Sequence, residues 1–168
     1  MSETHPFGNF VPVNSKYLLL GSFVSKPMVG YEWFYANGRN QFWPILEQVY
    51  GRELRTKEVQ QKLFVDLRMA LADMIWECER ENKSNLDVNL KEIVINSEIE
   101  NILEENKIET IYFSSRFAET LFKRHFKNLI ASFPEIRYVV LPSPSPRYAA
   151  MSKVEKIKRY RQLLPGLV

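Results

Sequence analysis

Short apolar runs alternate with helical-period stripes along this chain. Residues 16–23, KYLLLGSF, form an apolar run that begins after polar residues and ends at Gly21 and Ser22, which predicts a buried strand. Residues 24–38 contain Pro27, Gly30 and Gly38 and predict a loop. From Arg39 to Tyr50, Phe42, Ile45, Leu46 and Val49 recur at helical spacing, Pro44 falls in the tolerant first turn, and Gly51 suits a helix stop. A second helix is expected from Thr56 to about Met69, with Glu58 near its start and Val59, Leu63 and Leu67 turned inward.

Residues 70–78, ALADMIWEC, are read as a strand, and 82–89, NKSNLDVN, as a polar loop. Ser97 is placed to cap a helix reaching about Asn106, with Ile99, Ile102 and Leu103 facing inward. There follow a strand at 109–113, a helix at 115–127, a strand at 136–141, a proline–serine loop and a helix at 152–164 capped by Ser152. Buried strands alternating with amphipathic helices predict an α/β fold, a three-layer αβα sandwich around a central, mainly parallel four-stranded sheet. In such folds ligands bind beyond the carboxyl ends of the strands. GSFVSKP and LPSPSPRY should therefore open on one edge, with FYANGRN beside them.

Length and composition add limits. The 168 residues suit one domain spanning 1–168, and 45% hydrophobic with 26% charged residues is ordinary for a soluble chain. No apolar run approaches the roughly 18 residues that cross a bilayer, so no membrane partner is expected. The first ten residues lack the features of a secretory signal, and Cys78 is the lone cysteine, which together suit a cytoplasmic protein. With His5 and His125 the only histidines, neither a metal site nor a mechanism using two imidazoles is expected. Cys78 reads as a small buried hydrophobe and His125 as a surface or structural residue. Asp66, Asp73 and Asp87 are scattered carboxylates, any one of which could stand behind a site, with solvation the commoner state for such a residue.

Charge is unevenly placed. Glu77 to Glu105 holds nine acidic and three basic side chains, whereas Arg116 to Arg161 holds eleven basic and three acidic. Such asymmetry points to an anionic partner, nucleic acid first, for the C-terminal half. Lys153, Lys156, Lys158, Arg159 and Arg161 are expected to continue that positive surface along the last helix. No GxGxxG, GxxxxGK[ST] or GxSxG motif is present, which disfavours dinucleotide, P-loop and serine-hydrolase roles.

Two segments carry candidate chemistry. In FYANGRNQFWPIL, 34–46, the rings of Phe34, Tyr35, Phe42 and Trp43 surround Arg39 and Asn40 at a helix start. Either the rings are core and Asn40 is a cap, or the rings hold a flat ligand and the amide acts on it. In LPSPSPRYAAMS, 141–152, Pro142, Pro144 and Pro146 alternate with Ser143 and Ser145 before Arg147 and Tyr148. Proline stiffens this loop and removes backbone donors, which suits a phosphate contact or a wedge into a base stack as well as a plain connector.

In their order, GS at 21–22, FYANGRNQFWPIL and LPSPSP resemble the uracil-DNA glycosylase superfamily, most closely its hypoxanthine-DNA glycosylase-like branch. That branch shows a GS-x-P-G-like loop, a YYxxxRNxFW segment and a LPSTSP-like loop. ALADMIWECERENKSNLDVN is similar to its ALWD…C-x-R…SLDxxI pattern, and the likeness spans roughly 10 to 165. The resemblance implies a DNA repair glycosylase without a cofactor, acting as a monomer on DNA, double-stranded or single-stranded. Asn40 then matches the leading catalytic residue. Gly21, Ser22, Phe23, Tyr35, Arg39 and Ser143 match positions around the base. Pro144, Ser145, Pro146, Arg147, Tyr148 and Lys153 fall where the family grips DNA. The first loop reads GSFVSKP, without the Pro-Gly of the branch or the catalytic Asp or Asn of other branches. Two other readings stay open: a nucleic-acid or nucleobase-binding module of the same fold, and a hydrolase of free nucleosides.

Overall fold

In the computed structural model, residues 2–24, 33–35, 38–80 and 90–167 are described. Four short strands build the expected parallel sheet: β2 (Tyr17–Gly21), β3 (Met69–Asp73), β6 (Thr110–Phe113) and β7 (Arg137–Val140), in the order β3-β2-β6-β7. All three neighbouring pairs are parallel, and Gly21 sits opposite Asp73 at the carboxyl edge of β2 and β3.

Strand alternation sends side chains to two cores. Leu18 and Leu20 of β2 pack with Ala70, Ala72, Ile111 and Phe113 against α3 (Glu98–Glu105), α4 (Arg116–His125) and α5 (Lys127–Ser132). Leu19 points the other way, joining Leu71 and Tyr112 under α1 (Phe42–Tyr50), α2 (Lys57–Leu67) and α6 (Lys153–Leu163). Helices thus cover both faces, completing the three-layer sandwich.

A second sheet was not expected. β1 (Ser2–Thr4), β4 (Ile75–Arg80) and β5 (Leu90–Ile95) form an antiparallel sheet in the order β1-β4-β5. The segment 70–78, expected as one strand, therefore divides at Met74 between two sheets. The Met74 N–H donates to the Gly21 carbonyl at 2.8 Å, and its own carbonyl accepts from Asn96 at 2.8 Å. β5, LKEIVI, escaped notice because only one face of it is covered and Lys91, Glu92 and Val94 stay exposed.

Caps explain most helix limits. The Thr56 and Ser152 hydroxyls accept from the N–H groups of Val59 and Glu155, and Gly51 ends α1 in the left-handed region at φ 65°. Ser97 makes no such bond. Asn96 takes its place, with its side-chain oxygen accepting from Glu98 N–H at 3.2 Å. α2 ends at Leu67, where Arg68 turns left-handed, and its inward stripe uses buried Gln60 where the more exposed Val59 was expected. The helix expected over 115–127 breaks at Phe126 into α4 and α5. His125 is exposed, and burial pushes the Cys78 thiol up to about 11. The polar loop at 82–89 and most of the loop at 24–38 lie outside the described residues. Among the described residues, no helix is long and apolar enough to cross a membrane.

Candidate active site

At the carboxyl edge of the four-stranded sheet lies a cavity of about 830 Å³. Its floor begins at Gly21, the last residue of β2. A methyl group added there would lie 2.5 Å from Asp73 Oδ1, 2.9 Å from the Tyr35 hydroxyl and 3.3 Å from Ser114 Oγ. Three polar groups therefore converge on the space that glycine leaves open.

Asp73 corrects the sequence reading: it is 3% exposed, not solvated. Buried carboxylates need partners, and this one has His5, whose Nε2 lies 2.8 Å from Asp73 Oδ2. The other ring nitrogen, Nδ1, accepts from the N–H groups of Phe7 and Gly8, both at 3.2 Å. An acceptor role at Nδ1 leaves the proton on Nε2, so the imidazole donates to the carboxylate. The N-terminal segment brings His5 there. β1 pairs with β4, His5 N–H donates to the Trp76 carbonyl at 2.7 Å, and Phe10 exchanges backbone bonds with Leu71 of β3. His5 thus bridges the gap where the chain passes between sheets, stacked on Trp76.

Tyr35 forms a wall. Its ring stacks on Phe42 with centroids 3.9 Å apart, and its hydroxyl donates to Ser114 Oγ at 2.7 Å. Burial first, and then the Asp73 charge, hold its pKa well above the usual tyrosine value, so the phenol keeps its proton. Tyr35 is also left-handed at φ 59°, a strained backbone state for a bulky residue. Phe34 is core as well as a cavity ring, 1% exposed and packed with Trp33, Phe42 and Trp43, and its carbonyl accepts from the Trp43 indole at 2.8 Å.

Asn40 lines the cavity, and its side-chain oxygen accepts from Phe42 N–H at 2.9 Å. The N-cap position of α1 is held by Gln41, so Asn40 is not the cap itself; from one residue earlier its oxygen bonds the first helical N–H, and that bond fixes the amide at the cavity wall. Arg39 reaches the same cavity from an exposed position, and Ser22 and Phe23 extend the floor from Gly21. The Phe23 edge is braced by Arg80, which lies 5.0 Å from its ring centre, bonds the Val24 carbonyl and pairs with Glu3 at 2.9 Å.

The proline–serine loop supplies the opposite rim. Ser143 to Tyr148 all line the cavity, with Pro146, Arg147 and Tyr148 exposed and Pro144 buried. Pro144 is thus part of the wall, its carbonyl accepting from Gln41 N–H at 2.8 Å. Behind the loop, Tyr160 donates to the Pro142 carbonyl at 2.6 Å, and Lys156 donates to Gln41 Oε1 at 2.8 Å and to the Ser145 carbonyl at 3.1 Å. Lys156 is 1% exposed, so it does not belong to the positive surface assigned to it from sequence. Lys153, by contrast, is exposed on α6 and outside the cavity lining.

Sequence reasoning brought together Gly21, Ser22, Phe23, Tyr35, Arg39, Asn40 and the 143–148 loop, and missed His5, Asp73 and Ser114. The only available signals were position: Asp73 ends a strand at the ligand-binding edge, and Ser114 directly follows another. Among the described residues, no group of three or more His, Cys, Asp or Glu side chains could hold a metal ion.

An α/β sandwich with a polar-floored cavity at the carboxyl edge of its parallel sheet is thus the class that fold and site define. The same fold is seen in the solution NMR structure of a Methanosarcina acetivorans protein described as a "putative Uracil DNA glycosylase". It is 24% identical, with a TM-score of 0.73 over 97% of this chain and 99% of that one. No protein-family model matches the chain, and no curated protein matches it in sequence.

Proposed function

We propose that this protein is a monofunctional DNA N-glycosylase that removes a deaminated base, hypoxanthine or uracil, and leaves an abasic site. The observation that carries this reading is the cavity itself, in which a buried polar floor and an aromatic wall lie under a rim of Arg147 and Tyr148. A flipped base would fill the interior while its phosphates stay at the rim. The motif resemblance and the shared fold support the same conclusion.

Little covalent machinery is needed. Water oxygen bonds to the sugar C1′ as the C–N bond breaks; the bonding pair leaves with the base, and the water proton ends on the base. The sugar is oxocarbenium-like in between, and negative charge grows on the departing ring. Asn40 is the proposed catalytic residue. The bond from Phe42 N–H occupies one lone pair of its oxygen, and the remaining acceptor and donor capacity can orient water or bond the base edge. Tyr35 packs the base, and Gly21 leaves it room. Ser22, Phe23, Arg39 and Ser143 complete the surrounding wall. Ser145, Pro146, Arg147 and Tyr148 engage the DNA backbone and the gap left in the stack, with Lys153 adding attraction from α6. Lys156 is held by Gln41 and Ser145, which argues against a lysine nucleophile and for a simple hydrolase.

Single-turnover release from duplexes carrying deoxyuridine, deoxyinosine, deoxyxanthosine or mismatched thymine, developed with alkali, tests the reading. Base release that falls by about 10²-fold or more in Asn40→Ala, with DNA affinity retained, is expected. Salt-sensitive DNA binding without release from any substrate would replace the enzyme with a binding module.

A further inference from the structure

We propose that Lys156 is a positioning residue: from behind the rim, out of reach of a ligand in the cavity, its ammonium ties the orientation of Asn40 to the seating of the proline–serine loop. The catalytic role of Asn40 rests on the glycosylase reading; the tie rests on hydrogen bonds alone.

The loop's own sequence creates the need for a tie. Pro142, Pro144 and Pro146 have no N–H groups, so LPSPSP cannot pair its backbone with itself, and its carbonyls must find donors elsewhere. Tyr160 donates to the Pro142 carbonyl, Gln41 N–H to Pro144 and Lys156 to Ser145. The Ser145 carbonyl also accepts from Tyr148 N–H at 3.1 Å, and the Lys156 nitrogen lies 5.5 Å from the Tyr148 ring centre. One ammonium thus braces both the backbone and the ring of an exposed rim residue. Because these hydrogen bonds use only loop carbonyls, rim side chains can change while the tie persists.

The same ammonium reaches the start of α1. Gln41 is the N-cap residue there, yet its side chain makes no capping bond. It turns its oxygen to Lys156 instead, at 2.8 Å, while its N–H goes to Pro144. Gln41 is therefore bound to the loop twice, directly through its main chain and by way of Lys156 through its side chain. The residue before it is Asn40, whose oxygen accepts from Phe42 N–H across Gln41. A rotation at Gln41 would pull donor and acceptor of that bond apart and turn the amide away from the cavity.

Lys156 acts only through these neighbours. It is 1% exposed and is not among the residues lining the cavity. Burial alone lowers its pKa, with no carboxylate opposing the shift, so the oxygens of Gln41 and Ser145 are what keep a buried ammonium in place.

Two variants cut the tie from opposite ends. Lys156→Met removes the donor; Gln41→Met removes the acceptor and leaves the Lys156 bond to Ser145. Each is first checked for cooperative thermal unfolding and then used well below its midpoint. In NMR spectra of the free protein, the Asn40 side-chain amide signals, assigned by their loss in Asn40→Ala, should shift or broaden in both variants. On duplexes carrying deoxyuridine or deoxyinosine, single-turnover release at saturating DNA should fall about tenfold in each. In the Asn40→Ala background, where the amide is gone, Lys156→Met should change release by less than about twofold, because residues that act through one another are not additive. An equal fall in both backgrounds, the mark of lost stability alone, would overturn the proposal, as would Asn40 signals unmoved in both variants. Signals that move in both variants of a protein releasing no base from DNA would uphold the tie and remove the glycosylase. Release that is lost in Asn40→Ala but unchanged in Lys156→Met and Gln41→Met would keep the glycosylase and remove the tie.

Discussion

The floor and the rim of the cavity are built in opposite ways. The rim is local: Ser143 to Tyr148 are consecutive, stiffened by proline, and fastened by α6 and by the Gln41 N–H. The floor is assembled from residues 5, 21, 35, 73 and 114, each from a different part of the chain. Local construction lets the rim vary without disturbing its surroundings. Dispersed construction ties the floor groups to one another, His5 to Asp73, Tyr35 to Ser114 and all but His5 around Gly21, so a small change there should propagate. Rim damage should therefore appear as affinity, and floor damage as chemistry.

The largest effect is expected at Gly21. In Gly21→Ala the new methyl would fall 2.5 Å from Asp73 Oδ1, so the carboxylate must shift and the space for the base shrinks. Displacements of this size cost about 10²-fold in rate. Single-turnover base release should fall by about that factor with DNA affinity within about twofold, and a loss of affinity instead would erase the distinction between floor and rim.

Lys156→Met should come next. It strips the donor from Gln41 Oε1 and the Ser145 carbonyl and should lower stability by about 1–3 kcal/mol, read as the urea midpoint with an unchanged m-value. The pH dependence has a definite sign. Burial holds the Lys156 pKa below its ordinary 10.5, so over a window just under that value the unfolded chain binds a proton that the folded protein does not. The lysine's contribution to stability rises with pH through this window and is lower again as pH falls below the folded value. The wild-type advantage over Lys156→Met should accordingly stay level below the folded value and widen from there up to pH 10.5.

Arg147→Ala should be the mildest. An exposed phosphate contact is expected to change affinity by a few-fold, lower the slope of log affinity against log salt by about one, and leave single-turnover release from saturated complexes unchanged. A large fall in release would place Arg147 in the chemistry and move the boundary between the two regions inward.

That contrast also explains what could be read from the sequence. The central sheet was legible because runs such as YLLLG and TIYF are fully covered by helices and so are uniformly apolar. The three-stranded sheet was not, since LKEIVI is half exposed and its partner IWECER continues directly from another strand. The rim and Asn40 were visible because their residues lie in short dense motifs. Asp73 was mistaken for a solvated carboxylate because burial is not written beside it; it follows from His5, 68 residues away. Lys156 was placed on the surface because its neighbours Lys158 and Arg159 belong there, while the turn of the helix carries it inward.

The strand order β3-β2-β6-β7 has a further consequence for the timing of assembly during synthesis. β2, the earliest strand of the parallel sheet to leave a ribosome, ends up in the interior, and one of its two neighbours, β6, emerges some ninety positions later. Asp73 can meet His5 early, but Ser114 waits for β6, and the loop over the cavity waits for Lys156 and Tyr160 near the end. A nascent chain lacking α6 therefore holds every residue of the floor under a rim that Lys156 and Tyr160 have not yet fastened, and α6 is the helix that closes the site.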